Sequence, residues 1–230
     1  MIRHLVSLLA IAFISCPTLA AGKKTKIPKQ IQQLLAMTPD DFARKITIKD
    51  DALEVSAEIS TINGWQQKDG LLKIVNSDQF FRAFINKKTG EVSYQVYQFV
   101  YYYGDWAFFN RVNYETADGP VQKDLTVISR DVLECTTYLG CRHSEHIGFE
   151  VDEKLLRAAA ANYKPNAVEA WRFRLKAQSG VQRDEGFVAA EIVALLQTVD
   201  TYKKDNGLMK LEPSQINPLR VIATPQTSTK

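Results

Sequence analysis

The sequence predicts an α+β fold: an antiparallel β-meander of about seven to eight strands, curved or partly closed, with short N-terminal helices and an amphipathic C-terminal helix packed on the sheet. Three observations predict it. Apolar residues recur at every second position from about residue 47, turn formers interrupt them at short intervals, and the spacing becomes helical after Val151. A period of two indicates a strand with one buried face. Connections this short leave no room for crossover helices, so neighbouring strands should pair antiparallel.

The strand pattern is clearest near residues 53–59, where alternate residues are apolar: Leu53, Val55, Ala57 and Ile59. We predict further strands near 71–76, 79–86, 91–103, 106–116, 121–135, 141–151 and 168–178. Residues that favour turns separate them, among them Gly104-Asp105 and Asp118-Gly119-Pro120.

Helices are predicted at both ends of the chain. Residues 29–37 have helical spacing, and Thr38-Pro39-Asp40-Asp41 then offers an N-cap for a second short helix through about Lys45. Asp152 can cap a helix from Glu153 to about Tyr163. The last helix has one apolar stripe and ends at Asn206-Gly207; the stripe consists of Val188, Ile192, Leu195, Val199 and Tyr202.

The first 21 residues have the pattern of a signal peptide: a basic start, an apolar run over 5–14 and small residues before Ala20 and Ala21. Acylation of Cys16 is an alternative that would anchor the chain to lipid. We therefore expect an exported protein, with the bacterial periplasm favoured over secretion or a lipid anchor. No other stretch has the length and hydropathy of a transmembrane span.

Composition narrows the function classes. The chain has 230 residues, 45% of them hydrophobic and 24% charged, as in soluble globular proteins. A formal net charge of +3 gives no electrostatic case for a nucleic-acid partner. We expect a basic tether at 22–29, whose lysines offer weak contact with a membrane surface, then one domain over 30–207. A proline-containing tail at 208–230 is expected to be extended or disordered.

Two cysteines close a short loop between the last strands of the meander. A hairpin that places Cys135 opposite Cys141 also places Asp131 opposite Glu145. In an oxidising compartment such cysteines should form a disulfide. The alternative is a metal site built from Cys141, His143 and His146, but strand alternation turns the two histidines to opposite faces.

The same hairpin carries the only candidates for acid–base chemistry. Asp131, His143 and Glu145 would share the inner face in the predicted register, and two facing carboxylates beside an imidazole suit general acid–base catalysis. The alternative is that these groups are solvated. The sequence contains no phosphate-binding loop, nucleophile elbow or zinc-protease motif. No cofactor is predicted.

Aromatic residues crowd the centre of the chain. Ten of the 23 Phe, Tyr and Trp residues lie within 94–114, and those predicted to form a ligand or partner surface are Tyr97, Phe99, Tyr101, Tyr103 and Trp106. Tyrosine combines an apolar ring with a polar tip, which suits binding surfaces, whereas core packing is the alternative.

In the strand predicted near 168–178, one face carries Trp171, Phe173 and Leu175. The opposite face carries three basic residues: Arg172, Arg174 and Lys176. They could contact an anion, or they could be the solvent side of an edge strand.

These observations favour an exported, non-enzymatic protein that binds a partner protein or an apolar or amphipathic small ligand on its aromatic-rich sheet. A periplasmic hydrolase or metal-dependent enzyme using Asp131, His143 and Glu145 is the first alternative. A structural protein of the envelope is the second.

Overall fold

The computed structural model describes residues 29–65, 68–69, 74–75, 77–165 and 170–209. The described part contains four helices: α1 (Lys29–Ala36), α2 (Pro39–Ala43), α3 (Glu153–Ala161) and α4 (Ala189–Asp205). Its strands are β1 (Thr47–Lys49), β2 (Ser56–Ser60), β3 (Lys68–Asp69), β4 (Ile74–Val75), β5 (Ser77–Asn86), β6 (Val92–Tyr103), β7 (Phe109–Thr116), β8 (Gly119–Asp124), β9 (Thr126–Thr136), β10 (Gly140–Val151), β11 (Ala170–Ala177) and β12 (Gln182–Val188). The predicted signal peptide with Cys16, the lysines at 23–28 and the tail from 210 onward lie outside the described residues.

Ten of these strands form two antiparallel sheets. One has six strands in the order β1-β2-β5-β6-β10-β9, and the other has four in the order β12-β11-β7-β8. The short strands β3 and β4 pair separately with each other. The α+β class, the antiparallel pairing and the C-terminal helix on the sheet are confirmed. The strands are more numerous than predicted, however, and neither sheet closes.

The chain leaves the first sheet after β6, forms β7 and β8 in the second sheet, and returns as β9 and β10 beside β6. Each sheet turns one apolar face toward the other, and we call these the inner faces. Aromatic rings meet between them: the ring centroids of Phe81 and Phe187 are 3.9 Å apart, and those of Phe149 and Phe173 are 5.3 Å apart. The burial of these rings between the two inner faces explains why the strands form two packed sheets rather than one continuous meander.

Helix α4 completes the layer that covers the six-stranded sheet. Its predicted stripe is buried, with Ile192, Leu195 and Val199 in the main core. The opposite side of α4 is covered as well, since Ala190 and Ala194 pack with Phe42 of α2. Burial on two sides explains why α4 is more apolar than a helix with one buried stripe.

The predicted helix starts are confirmed. The hydroxyl of Thr38 accepts a hydrogen bond from the backbone N–H of Asp41, and the Asp41 carboxylate accepts one from the backbone N–H of Thr38. The Asp152 carboxylate likewise accepts from the backbone N–H of Lys154 at the start of α3. These bonds, reciprocal at Thr38 and single at Asp152, satisfy N–H groups that a helix leaves unpaired at its first turn.

Three strand predictions differ from the structure. The alternation begins as predicted at Ala57 and Ile59, but Leu53 and Val55 precede β2 and are exposed. The segment 121–135 divides into β8 and β9. Strand β12 was not predicted because the polar and charged residues of its first half hide the alternation.

Two carboxyl groups are buried near the start of α4. Glu191 accepts a hydrogen bond of 2.6 Å from the hydroxyl of Thr61, and burial raises its pKa to about 8. Burial also raises the pKa of Asp78 in β5, to about 7. Both side chains therefore bind their proton more tightly in the folded chain than in the unfolded chain.

We predict that this pair makes the protein less stable as the pH rises. Between about pH 4 and pH 8 the folded chain retains protons that the unfolded chain releases, so the free energy of unfolding falls with pH. Glu191→Gln removes the ionisation and keeps an acceptor for Thr61. At pH 9 it should raise the free energy of unfolding by a few kcal/mol, at roughly 1.4 kcal/mol per unit of pKa difference. Urea unfolding across pH 5–9 measures it.

Glu150→Gln removes an exposed carboxylate and controls for the change in net charge. If the difference in the free energy of unfolding between Glu191→Gln and the wild type stays constant from pH 5 to pH 9, the prediction is contradicted.

Candidate binding site

Strand β6 presents aromatic rings on both of its faces. Tyr97, Phe99, Tyr101 and Tyr103 alternate along the outer face, which points away from the second sheet, while Tyr94 and Tyr102 lie on the inner face. The predicted surface residues of β6 therefore do share a face. Trp106 does not join them, because it follows β6 in the loop that crosses to the second sheet.

The outer face carries a continuous group of rings, which we call the outer aromatic stripe: Phe80, Tyr97, Phe99, Tyr101 and His146. Neighbouring centroids along it are 4.9 Å apart for Phe80 and Tyr97 and 5.0 Å apart for Tyr97 and Phe99. His146 of β10 packs edge-on against Phe99, at 4.6 Å, and its Nδ1 lies 3.2 Å from the Tyr97 hydroxyl. Burial lowers the pKa of His146, which favours the neutral imidazole.

Two arginines cover parts of this stripe. The guanidinium of Arg82 lies 4.5 Å from the centre of the Tyr97 ring, and that of Arg142 lies 5.3 Å from the centre of the Tyr101 ring. Such cation–π contacts are worth about 0.5–1 kcal/mol at exposed sites. Phe80 and Tyr97 are buried, whereas Phe99 and Tyr101 are half-buried, so the stripe becomes more accessible toward the C-terminal end of β6. Tyr103 follows the stripe at that end and is exposed.

On the inner face, Glu145 of β10 is fully buried and its carboxylate accepts four hydrogen bonds. One oxygen accepts from the Tyr102 hydroxyl (2.6 Å) and the Phe108 backbone N–H (2.9 Å). The other accepts from the Phe109 backbone N–H (3.0 Å) and from Nε of Arg130 (2.8 Å). An ionised carboxylate has about four acceptor positions, and here each has a donor.

These bonds hold the loop that carries Trp106. Phe108 has a φ of 56°, a conformation that costs a side-chain-bearing residue about 1 kcal/mol or more. Its backbone N–H nevertheless binds Glu145, and the Ala107 N–H donates to the Tyr102 hydroxyl at 2.9 Å. Arg130 also donates to the Phe109 carbonyl, at 3.0 Å. The loop is thus fixed by side chains from three strands.

A cleft opens beside this loop, between the end of β6 and the turn that joins β11 to β12. Its volume is about 390 Å³. We call it the aromatic cleft; its walls are mostly apolar and include Val100, Tyr102, Trp106, Phe109 and Val181. Trp106 is supported from behind by the buried ring of His143, whose centroid is 4.1 Å from its own. Arg183, which forms an ion pair of 3.1 Å with Glu185, supplies a charged group at the wall.

The structure does not bring the proposed acid–base residues together. Asp131 faces Ser144 and is exposed, Glu145 faces Arg130, and His143 faces Val132. The predicted register, with Asp131 opposite Glu145, is wrong beyond the first two pairs. Two irregularities each insert one extra residue into β9, at Leu133 and at Ile128, and move every later partner.

The register holds at the hairpin end, where Cys135 faces Cys141 and Glu134 faces Arg142. The two sulfur atoms lie 2.01 Å apart, at the distance of a disulfide bond. His143 is on the inner face and His146 on the outer face. These positions do not converge on one metal ion.

The basic residues of β11 were interpreted either as an anion contact or as the solvent side of an edge strand, and the structure does not match the second interpretation. β11 lies between β7 and β12, so Arg172, Arg174 and Lys176 are not on an edge strand. Arg174 forms two hydrogen bonds with the carboxylate of Asp184 on β12, and this partner lowers the pKa of Asp184. One of the three cations is therefore paired within the sheet.

Arg130 and Glu145 were not predicted as partners, because the inserted residues hid their alignment.

We predict that Arg130→Gln will lower the free energy of unfolding by about 3–5 kcal/mol, because it leaves the buried carboxylate of Glu145 without its counter-charge. Arg142→Gln in the same hairpin is the matched control. Its ion pair with Glu134 is 3.7 Å long and partly exposed, so its loss should cost about 1 kcal/mol or less. Equal losses for the two variants in urea unfolding would contradict the assignment of Glu145 as the central acceptor.

Among the described residues, no group of three or more His, Cys, Asp or Glu side chains is arranged to hold a metal ion. No helix in the same part of the chain has the length and hydropathy to cross a membrane. Comparisons with protein-family models, with curated proteins and with solved structures find no match to this chain.

Proposed function

We propose that this is an exported, non-enzymatic protein that binds an apolar or amphipathic small molecule in the aromatic cleft. The observation that carries the proposal is a cleft of about 390 Å³ with aromatic walls, beside a loop that hydrogen bonds to Tyr102 and to the buried Glu145 hold in place. Small-molecule sites are concave, mostly apolar and largely pre-formed, with volumes of about 300–1,000 Å³. The position of Trp106 supports the same function, since a large ring held in advance loses little freedom on binding.

The polar groups of the cleft indicate the kind of ligand. Asp105, Ser179 and Arg183 lie among walls that are mostly apolar or aromatic. A molecule with a long apolar body and one polar end would bury its body against Trp106 and Phe109. Its polar end would remain near Arg183 and the solvent.

Binding to the cleft can be tested with dodecanoate and with the fluorescent probe 1-anilinonaphthalene-8-sulfonate. We expect saturable binding of both, with mutual displacement. Trp106→Ala should raise the Kd about tenfold or more, which corresponds to about 1.4 kcal/mol of lost contact. Val181→Arg changes an exposed residue of the cleft wall and should obstruct entry without disturbing the core. Tyr138→Ala changes a fully exposed residue of the β9–β10 turn and is the control.

Fluorescence titration and circular dichroism of all three variants complete this test. Wild-type affinity in both Trp106→Ala and Val181→Arg, with the fold intact, would reject the cleft as the binding site.

The outer aromatic stripe supports a second candidate function, the binding of a partner protein. Tyrosine and arginine are enriched at protein interfaces, and Tyr101, Tyr103 and Arg142 combine them at the accessible end of the stripe. Tyr101→Ala with Arg142→Ala would weaken a protein complex and leave dodecanoate binding unchanged, because neither residue lines the aromatic cleft. The same pair of changes therefore separates the two candidate functions.

Export is the part of the proposal that the leader pattern and the paired cysteines support together. Disulfides persist in oxidising compartments, which an exported chain reaches. In a bacterial host we expect the full chain to lose its first 20 or 21 residues and to reach the periplasmic fraction with no alkylatable thiol. N-terminal sequencing and alkylation with and without reductant measure both properties. A cytosolic protein with its leader and two reactive thiols at Cys135 and Cys141 would refute this part.

A further inference from the structure

Strand β9 forms one edge of the six-stranded sheet. Among the described strands it pairs with β10 alone. Four aliphatic side chains on it are strongly exposed: Val127 (43%), Ile128 (42%), Val132 (52%) and Leu133 (49%). An edge strand presents a row of unpaired backbone groups, and exposed aliphatic residues beside that row favour pairing with another chain.

Proline, outward charges and inserted residues usually protect an edge strand from pairing, but in β9 they do not have this effect. β9 contains no proline. Its only cation, Arg130, turns inward to Glu145, and its Glu134 accepts a hydrogen bond from Tyr103 and pairs with Arg142. The two inserted residues are themselves aliphatic, Ile128 and Leu133, and both are exposed. Charges that would repel an incoming strand are thus neutralised within the chain.

Asp131 is the exception on this edge. It is exposed and forms no ion pair within 4.0 Å among the described residues, and its charge acts on the imidazole of His146 in β10. It lies between the two exposed insertions, with Ile128 on one side of it along the strand and Leu133 on the other. An opposite charge directly across from it would stabilise a pair of strands, and a like charge would destabilise it.

We propose that β9 is a docking edge for an extended segment of a partner protein, which adds a seventh strand to the sheet. The segment has a lysine or arginine opposite Asp131 and aliphatic residues beside Ile128 and Leu133. The eleven residues of β9 offer about 35 Å of edge, which suits a peptide strand rather than a small molecule. The disulfide between Cys135 and Cys141 joins β9 to β10 at one end and keeps the edge aligned before binding. This edge is separate from the aromatic cleft, so neither proposal depends on the other.

Two synthetic peptides test the charge and the pairing together. Each is an acetylated, amidated heptapeptide of alternating threonine and valine, with lysine at the centre of one and glutamate at the centre of the other. With the full mature chain, the lysine peptide should slow amide hydrogen exchange over Thr126–Thr136. It should also bind at least fivefold more tightly than the glutamate peptide. Asp131→Lys should reverse this preference.

A lysine placed on the edge should block docking. Leu133→Lys changes an exposed residue and should abolish binding of the lysine peptide, whereas Tyr138→Lys, with the same new charge on the neighbouring turn, should not. Circular dichroism verifies that each variant folds. Trp106→Ala, which should weaken ligand binding in the cleft, should leave peptide binding unchanged. The edge proposal and the cleft proposal can therefore be rejected independently.

Four outcomes would overturn the proposal. In the first, neither peptide slows exchange in β9; in the second, Asp131→Lys leaves the preference for the lysine peptide unchanged. In the third, the free protein protects β9 in proportion to its concentration and sediments as a dimer, which makes a second copy the occupant. In the fourth, deletion of residues 210–230 speeds exchange in β9, which makes the chain's own tail the occupant.

Discussion

The buried carboxylate of Glu145 is the constraint on which the site depends. It lies where the chain leaves the six-stranded sheet for the four-stranded one, and it binds groups from both. A charged group taken out of water costs several kcal/mol unless donors replace the lost hydration. Arg130, Tyr102 and two backbone N–H groups supply those donors here. The stabilisation is local, but it fixes how the two sheets meet at this end.

That junction explains how one aromatic strand can serve two surfaces. Tyr102 on the inner face binds Glu145 and supports the loop that carries Trp106, which forms a wall of the aromatic cleft. Tyr101, its neighbour along the chain, points to the outer aromatic stripe. Because side chains alternate along a strand, the same run of tyrosines separates into a fixed inner group and a more accessible outer group.

Local patterns predicted much of this fold, since they depend on residues close together in the chain. Period-two alternation placed Tyr97, Phe99, Tyr101 and Tyr103 on one face, and the capping sequence at Thr38 located the start of α2. The cysteine pairing could be predicted because a short loop joins the two residues.

Long-range features could not be predicted in this way. The residues inserted at Ile128 and Leu133 leave apolar residues at plausible positions in either register, so the sequence does not distinguish the two alignments. The partnership of Arg130 and Glu145 depends on that register. The position of Trp106 depends on the backbone of Phe108, whose left-handed conformation is stabilised by the same carboxylate rather than by its own residue type.

The two inserted residues also connect the interior of the protein with its edge. Without the insertion at Leu133, alternation would place Asp131 opposite Glu145, where two carboxylates would share a buried site and repel each other. With it, Arg130 takes the inward position and Asp131 turns outward. Leu133, the inserted residue itself, is exposed on β9. The insertion that lets Arg130 neutralise the buried carboxylate therefore also turns Asp131 outward and leaves Leu133 exposed near it. The stability of the junction and the chemistry of this part of the edge share one cause.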